Sequence, residues 1–188
     1  EPFKQWLAKV GYERIQEIEN PELAAERARK YYKDLGYSED WIETRLKSIV
    51  TRGELTDEWK GRGVKEGLEY AILTAEISKA TFGLKPSEYK DLKGLKRENL
   101  RDHMTNLELI FSMLGEEQSR IETVKDDAQG FYENKETALK GGTAAGKARE
   151  AFELETGKEV VSDTNFKDQI KAAKEKKKLK KGGEPDEN

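Results

Sequence analysis

Thr105, Asn106, Leu107 and Glu108 form the arrangement that most restricts how this chain can fold. A threonine hydroxyl at this point accepts from the backbone N–H three residues on, and the glutamate reaches back to the threonine N–H, so a helix opens here. Apolar residues then recur at Leu107, Ile110, Phe111, Leu114 and Ile121, a helical period that predicts one buried stripe. Upstream lies a basic, glycine-punctuated lead-in of Lys93, Gly94, Leu95, Lys96 and Arg97, followed by Arg101 and the single histidine, His103. These residues give a packed helix with a cationic approach. They give no reaction.

The rest of the chain is punctuated in the same way. Pro2 suits a first helical position, and Phe3, Trp6, Leu7, Val10, Ile15 and Ile18 keep an apolar face through a first segment that Gly11 interrupts. Asn20 and Pro21 mark a boundary. Leu23, Arg27, Tyr31 and Leu35 carry a second helix that Gly36 is placed to end, and Ser38 caps a third through Trp41, Ile42, Leu46 and Ile49, with a stop expected near Gly53. After a turn beginning at Thr56, a longer helix is expected from about Lys65 to Thr81, with Leu68, Ile72, Ala75 and Ile77 inward. Arg62 and Lys65 among Gly61, Gly63 and Gly67 do not match the spacing of a phosphate-binding loop and follow no strand, so they read as a connection. Gly83 and Pro86 divide the chain into halves, and a further helix from Phe131 is expected to break at Gly141 and Gly142. Only Glu159, Val160 and Val161 resemble a strand, and they are too few to build a sheet.

Composition agrees with helices. Charged residues make up 39% of the chain and hydrophobic residues 35%, which favours helices with long solvated faces over a buried parallel sheet. The fold expected is all-α, an array or bundle of about seven to nine helices with no substantial sheet. Its expected divisions are an N-terminal helical region, 1–83, a C-terminal helical region, 84–170, and a Lys-rich tail, 171–188. The absence of cysteine excludes disulfides and thiolate metal sites and fits a reducing cytoplasm. No apolar run reaches the roughly 18 residues that a membrane span needs. A net charge of −3 argues against a globally basic nucleic-acid binder, but phosphate attraction is local, so clusters still matter.

Two segments carry cations in suggestive settings. From Gly141 to Arg149, Thr143 can cap a helix whose first turns hold Ala144, Ala145, Gly146 and Ala148 while Lys147 and Arg149 project. Such a start can contact a phosphate through its amides and the two cations, or it can be a small face packed against a neighbour. From Lys171 to Lys181, seven lysines face one glutamate, as in a solvated, disordered tail or an electrostatic tether to nucleic acid.

Catalytic groupings are poor. Asp102 and His103 are adjacent, so their side chains diverge by about 100° on a helix and form no triad contact. His103 reads as a boundary or packing residue. The acidic pairs Glu116 with Glu117 and Asp126 with Asp127 read as solvated, with magnesium binding as the alternative. The aromatic residues Trp6, Trp41, Trp59, Tyr12, Tyr31, Tyr32, Tyr37 and Phe82 read as core, with base stacking as the alternative. No catalytic residue, metal ligand or cofactor is expected.

The run from Tyr89 to Phe166 resembles the region that follows the BRO-N domain in phage antirepressor-like proteins and in the related DNA-damage-inducible D group. The resemblance rests on Gly94 to Lys96, on Asp102, His103 and Met104, on the helix with Leu107 and Glu108, on Gly141 to Arg149 and on Thr156 to Asn165. The stretch from Pro2 to Ser87 is similar to the same group. The resemblance implies a non-catalytic, cytoplasmic regulator of a prophage or DNA-damage response. Its partners would be DNA, mainly through an upstream BRO-N domain, and a repressor, a recombination protein or a second copy of itself. A start at Glu1 rather than methionine is what a fragment or processed form would show. Within this frame Lys93, Lys96, Arg97, Arg101, Lys147 and Arg149 are the expected phosphate contacts. An oligomerisation module without nucleic-acid binding, and a magnesium-dependent nucleic-acid enzyme, are the alternatives.

Overall fold

A computed structural model describes residues 1–166 and is all-α. Among the described residues seven α-helices run in order: α1 (Pro2–Glu19), α2 (Glu22–Leu35), α3 (Glu39–Gly61), α4 (Leu68–Phe82), α5 (Pro86–Leu92), α6 (Asn106–Lys125) and α7 (Gly130–Thr156). A 3-10 turn, Leu100–His103, sits between α5 and α6, and no strand occurs among the described residues. No helix among them is long and apolar enough to cross a membrane. The expected Lys-rich tail lies outside the described residues.

The chain divides into two compact units within α3, one ending at Ile42 and the other beginning at Glu43. A division at 83/84 is not what the structure shows, because α4 packs extensively on α7 and also touches α6, across that expected boundary.

In the first unit, Asn20 breaks the chain by accepting from the Glu22 N–H, and α2 ends where Gly36 takes φ 98°, a left-handed conformation that glycine adopts without a Cβ clash. Tyr32, Tyr37 and Trp41 form its aromatic cluster, with Tyr37 and Trp41 stacked at 3.9 Å. Gly11 does not interrupt α1, but α1 buries none of its residues. Trp6, Tyr12 and Tyr31, expected in the core, are more than half exposed.

The second unit is built on α4, α6 and α7, whose contacts are made by small side chains. Gly115 of α6 lies where an added Cβ would stand 2.8 Å from Thr81 Oγ1, and one on Gly142 would stand 2.8 Å from Ala80 Cβ. A Cβ on Gly141 would collide with the backbone of Ser119, and one on Gly146 with the Ala80 carbonyl. Polar atoms in this seam are satisfied locally. Ser119 Oγ donates to Gly115 O at 2.6 Å, Asn134 Nδ2 donates to Gly130 O at 2.7 Å, and the Thr123 and Thr137 hydroxyls meet at 2.7 Å.

Packing explains the departures from the expected pattern. Helix α7 runs through Gly141 and Gly142 because those glycines admit the neighbouring backbones, a packing gain that outweighs about 1 kcal/mol of propensity per glycine. Helix α3 runs through Gly53 because continuing it buries Leu55 and Trp59, worth about 1.5–3 kcal/mol each. On α6 the buried face is Leu109, Phe111, Ser112, Gly115, Glu116, Ser119 and Thr123, while Ile110, Leu114 and Ile121 of the expected stripe are 46%, 40% and 44% exposed. Leu68 of α4 likewise faces outward, and Leu73, Ile77, Thr81 and Phe82 face in. Leu55, Trp59, Val64, Leu73, Ile77 and Ala138 complete an apolar cluster at the α3, α4 and α7 junction.

Two glycine substitutions should therefore move stability in opposite directions. Gly141→Ala is expected to lower the unfolding free energy by about 2–3 kcal/mol through overpacking. Gly53→Ala, where an added methyl meets nothing within 4 Å, should raise it by about 0.5–1 kcal/mol. Urea unfolding followed by circular dichroism measures both.

Candidate functional site

The capping box is present. Glu108 N donates to Thr105 Oγ1 at 3.3 Å, and Thr105 N donates to Glu108 Oε2 at 2.6 Å. Glu108 does more than cap, for its carboxylate is fully buried and draws in three other parts of the chain. Tyr89 Oη of α5 donates to it at 2.5 Å, the Lys93 ammonium pairs with it at 2.9 Å, and Ser162 N donates to it at 3.1 Å. Lys93 Nζ also donates to the carbonyls of Ser162 and Thr164, each at 2.9 Å, and Asn165 Nδ2 donates to Lys93 O at 3.0 Å. Desolvation, together with the charge and hydrogen bond of Glu108, pushes the Tyr89 phenol well above its ordinary range.

This corrects the expectation for Lys93. It is 1% exposed and committed to Glu108, so its ammonium cannot reach a phosphate. Arg101 extends instead to Glu116, which also takes Arg52 at 3.2 Å, and the three side chains form a partly buried cluster. Burial pulls the Arg52 guanidinium below its usual range, and the charge of Glu116 opposes that fall; a guanidinium remains charged regardless. Arg149 donates to Thr81 O at 2.8 Å and to Glu153 at 2.6 Å. Lys96, Arg97 and Lys147 are exposed, and their side chains have no acidic partner among the described residues. Of the six expected phosphate contacts, then, three are free and three are spent within the fold.

The segment around Gly141 to Arg149 offers no helix start. Thr143 lies in mid-helix and donates to Leu139 O, and the amides there are inside α7. The packed small face is the reading that the structure supports.

A cavity of about 340 Å³ opens between α4, α5, the 3-10 turn and α6, and it brings Arg97 and Arg101 together. Lys90 joins them. Ile77, Phe82, Leu100 and Met104 give it an apolar wall, and Ser78, Thr81 and Ser112 contribute hydroxyls. Those hydroxyls are oriented by bonds of their own, since Ser78 Oγ donates to Leu84 O at 2.8 Å and Thr81 Oγ1 to Gly142 O at 3.4 Å. Glu98 accepts from the backbone N–H groups of Lys96 at 2.8 Å and Arg97 at 3.0 Å, which fixes the loop that carries both cations.

Sequence reasoning missed Lys90, Arg52 and Glu116 as members of this region. Glu116 was readable only as half of an acidic pair, and nothing local signals two arginines arriving from α3 and the 3-10 turn. The other acids are also engaged separately: Glu117 by Arg120 at 2.6 Å, Asp126 by Lys140 at 2.5 Å and Asp127 by Arg62 at 2.7 Å. Among the described residues no three His, Asp or Glu side chains stand together as a metal site would require. His103 is buried at the end of the 3-10 turn.

The Glu108 cluster has a measurable signature. Glu108→Gln, which leaves the Lys93 charge buried without its counter-charge, should cost about 3–5 kcal/mol in urea unfolding. The raised Tyr89 pKa sets a second expectation. The unfolded chain releases this proton near the ordinary tyrosine value of about 10, whereas the folded chain keeps it. The contribution is therefore complete below pH 10 and is lost as pH climbs beyond it. Unfolding free energies measured from pH 8 to 11 should fall above pH 10, and less steeply in Tyr89→Phe.

The chain matches no protein-family model, and a search of curated proteins finds no match.

Proposed function

We propose that this chain is a non-catalytic accessory region of a BRO-N-type prophage antirepressor or damage-inducible D-like regulator, acting through DNA-backbone and protein contacts. The observation that carries the reading is the allocation of cations. Lys93, Arg101 and Arg149 are consumed by internal partners, whereas Lys96 and Arg97, on a loop held by Glu98, and Lys147 on α7 stay exposed and without acidic partners among the described residues. Unpaired cations on a fixed loop suit the phosphate backbone, which attracts without reading sequence. The resemblance at Gly94 to Lys96 and at Asp102 to Met104 supports the same reading. DNA contact through these residues would supplement an upstream BRO-N domain, in the cytoplasm, with a repressor or recombination protein as the protein partner.

With three phosphates neutralised, the logarithm of the binding constant should fall against the logarithm of salt with a slope of about −2.7. Fluorescence anisotropy with a labelled duplex measures it. The Lys96→Ala, Arg97→Ala, Lys147→Ala triple variant should abolish the salt dependence along with the binding; no binding by the parent chain, or binding untouched in the variant, removes DNA from its role.

The second reading, an oligomerisation module, is favoured by α1. Its Phe3, Trp6, Leu7 and Ile18 are 69%, 58%, 54% and 81% exposed, an apolar face of the kind that marks interaction sites. Under that reading light scattering gives a mass that rises with concentration and reverts to the monomer in Trp6→Glu, with no affinity for DNA.

A further inference from the structure

We propose that the cavity between α4, α5, the 3-10 turn and α6 is a binding site for a small organic anion with an apolar body. The inference goes beyond the DNA-contact reading and does not depend on it.

Four features point to this ligand class. The volume of about 340 Å³ lies at the small end of the range of ligand pockets. Its wall is apolar where Ile77, Phe82, Leu100 and Met104 meet, and a polar ligand without a hydrocarbon part would leave that wall wet. Two lining cations, Lys90 and Arg97, have no acidic partner among the described residues, so their charge is available to a guest. The lining carboxylates do not cancel them: Glu98 is turned to the backbone N–H groups of Lys96 and Arg97, Glu116 is held by Arg52 and Arg101, and Lys90, Arg97 and Arg101 outnumber the two acids of the lining.

The lining hydroxyls have little to give an acceptor-rich head group. The hydroxyl protons of Ser78, Thr81 and Ser112 are already given to Leu84 O, Gly142 O and Met104 Sδ, so these groups present lone pairs rather than donors. The charged donors left for such a head group are the Lys90 ammonium and the Arg97 guanidinium, which make charge-assisted bonds to carboxylate or phosphate. The head group sits with Lys90 and Arg97, and the hydrocarbon or aromatic body lies along Ile77, Phe82, Leu100 and Met104.

Isothermal titration calorimetry of the full chain tests this with octyl phosphate and octanoate below their micellar concentrations, alongside octanol and inorganic phosphate. One of the two amphiphilic anions is expected to bind at one site per chain, at least tenfold more tightly than octanol or inorganic phosphate, and the preferred one identifies the head group. Lys90→Ala with Arg97→Ala, both away from the packed seam, should weaken it at least tenfold, while Lys147→Ala leaves it unchanged; circular dichroism confirms that each variant is folded. The proposal is overturned if neither anion binds, if octanol or inorganic phosphate binds as well, or if the folded double variant binds undiminished. Because the probes contain no nucleic acid, failure here leaves the duplex titration unaffected, and the reverse also holds.

Discussion

Glu108 is the residue on which the second unit closes. Its carboxylate is removed from water, a transfer that is tolerable only if every oxygen lone pair finds a donor. The donors come from four places: the helix start itself, Tyr89 on α5, Lys93 just beyond α5, and the backbone of Ser162. A single side chain thus fixes the beginning of α6, the end of α5 and the segment after α7 relative to one another. That orientation also sets the 3-10 turn and the loop bearing Lys96 and Arg97, and so the geometry of the cationic cavity.

A second constraint acts along α4, α6 and α7, where glycine, alanine, serine and threonine let helix backbones approach more closely than large side chains allow. Dispersion and satisfied polar contacts replace much of the hydrophobic burial that a chain with 35% hydrophobic residues lacks. The cost appears on the outside: Ile110, Leu114 and Ile121 stay in contact with water because the small residues have claimed the inner face.

These two constraints explain which parts of the fold were legible from sequence. The capping box was readable because Thr105 and Glu108 carry it within four consecutive residues, and the stop at Gly36 was readable because a left-handed helix end needs glycine locally. The inner face of α6 was not, since periodicity counts apolar residues and the true seam reads as polar until Gly141 and Gly142 are set against it. Likewise a lysine or arginine announces its charge but not its partner. Lys93 looked like part of an exposed basic cluster, and only the fold brings Glu108 to it; Arg101 finds Glu116 fifteen positions away across a turn. The candidate cavity was legible only in Arg97 and Arg101, because Lys90 and the apolar wall are assembled from separate helices.

The short stretch from Val160 to Asn165 has no regular secondary structure, yet it holds the other end of the Lys93 ammonium through two carbonyls and covers the buried carboxylate with one amide. Any truncated form that stops at Gly157, the C-cap of α7, would strip those groups away and open a charged pair to solvent on one side. The smallest self-sufficient version of the second unit therefore extends at least to Asn165, eight residues past the glycine that ends α7.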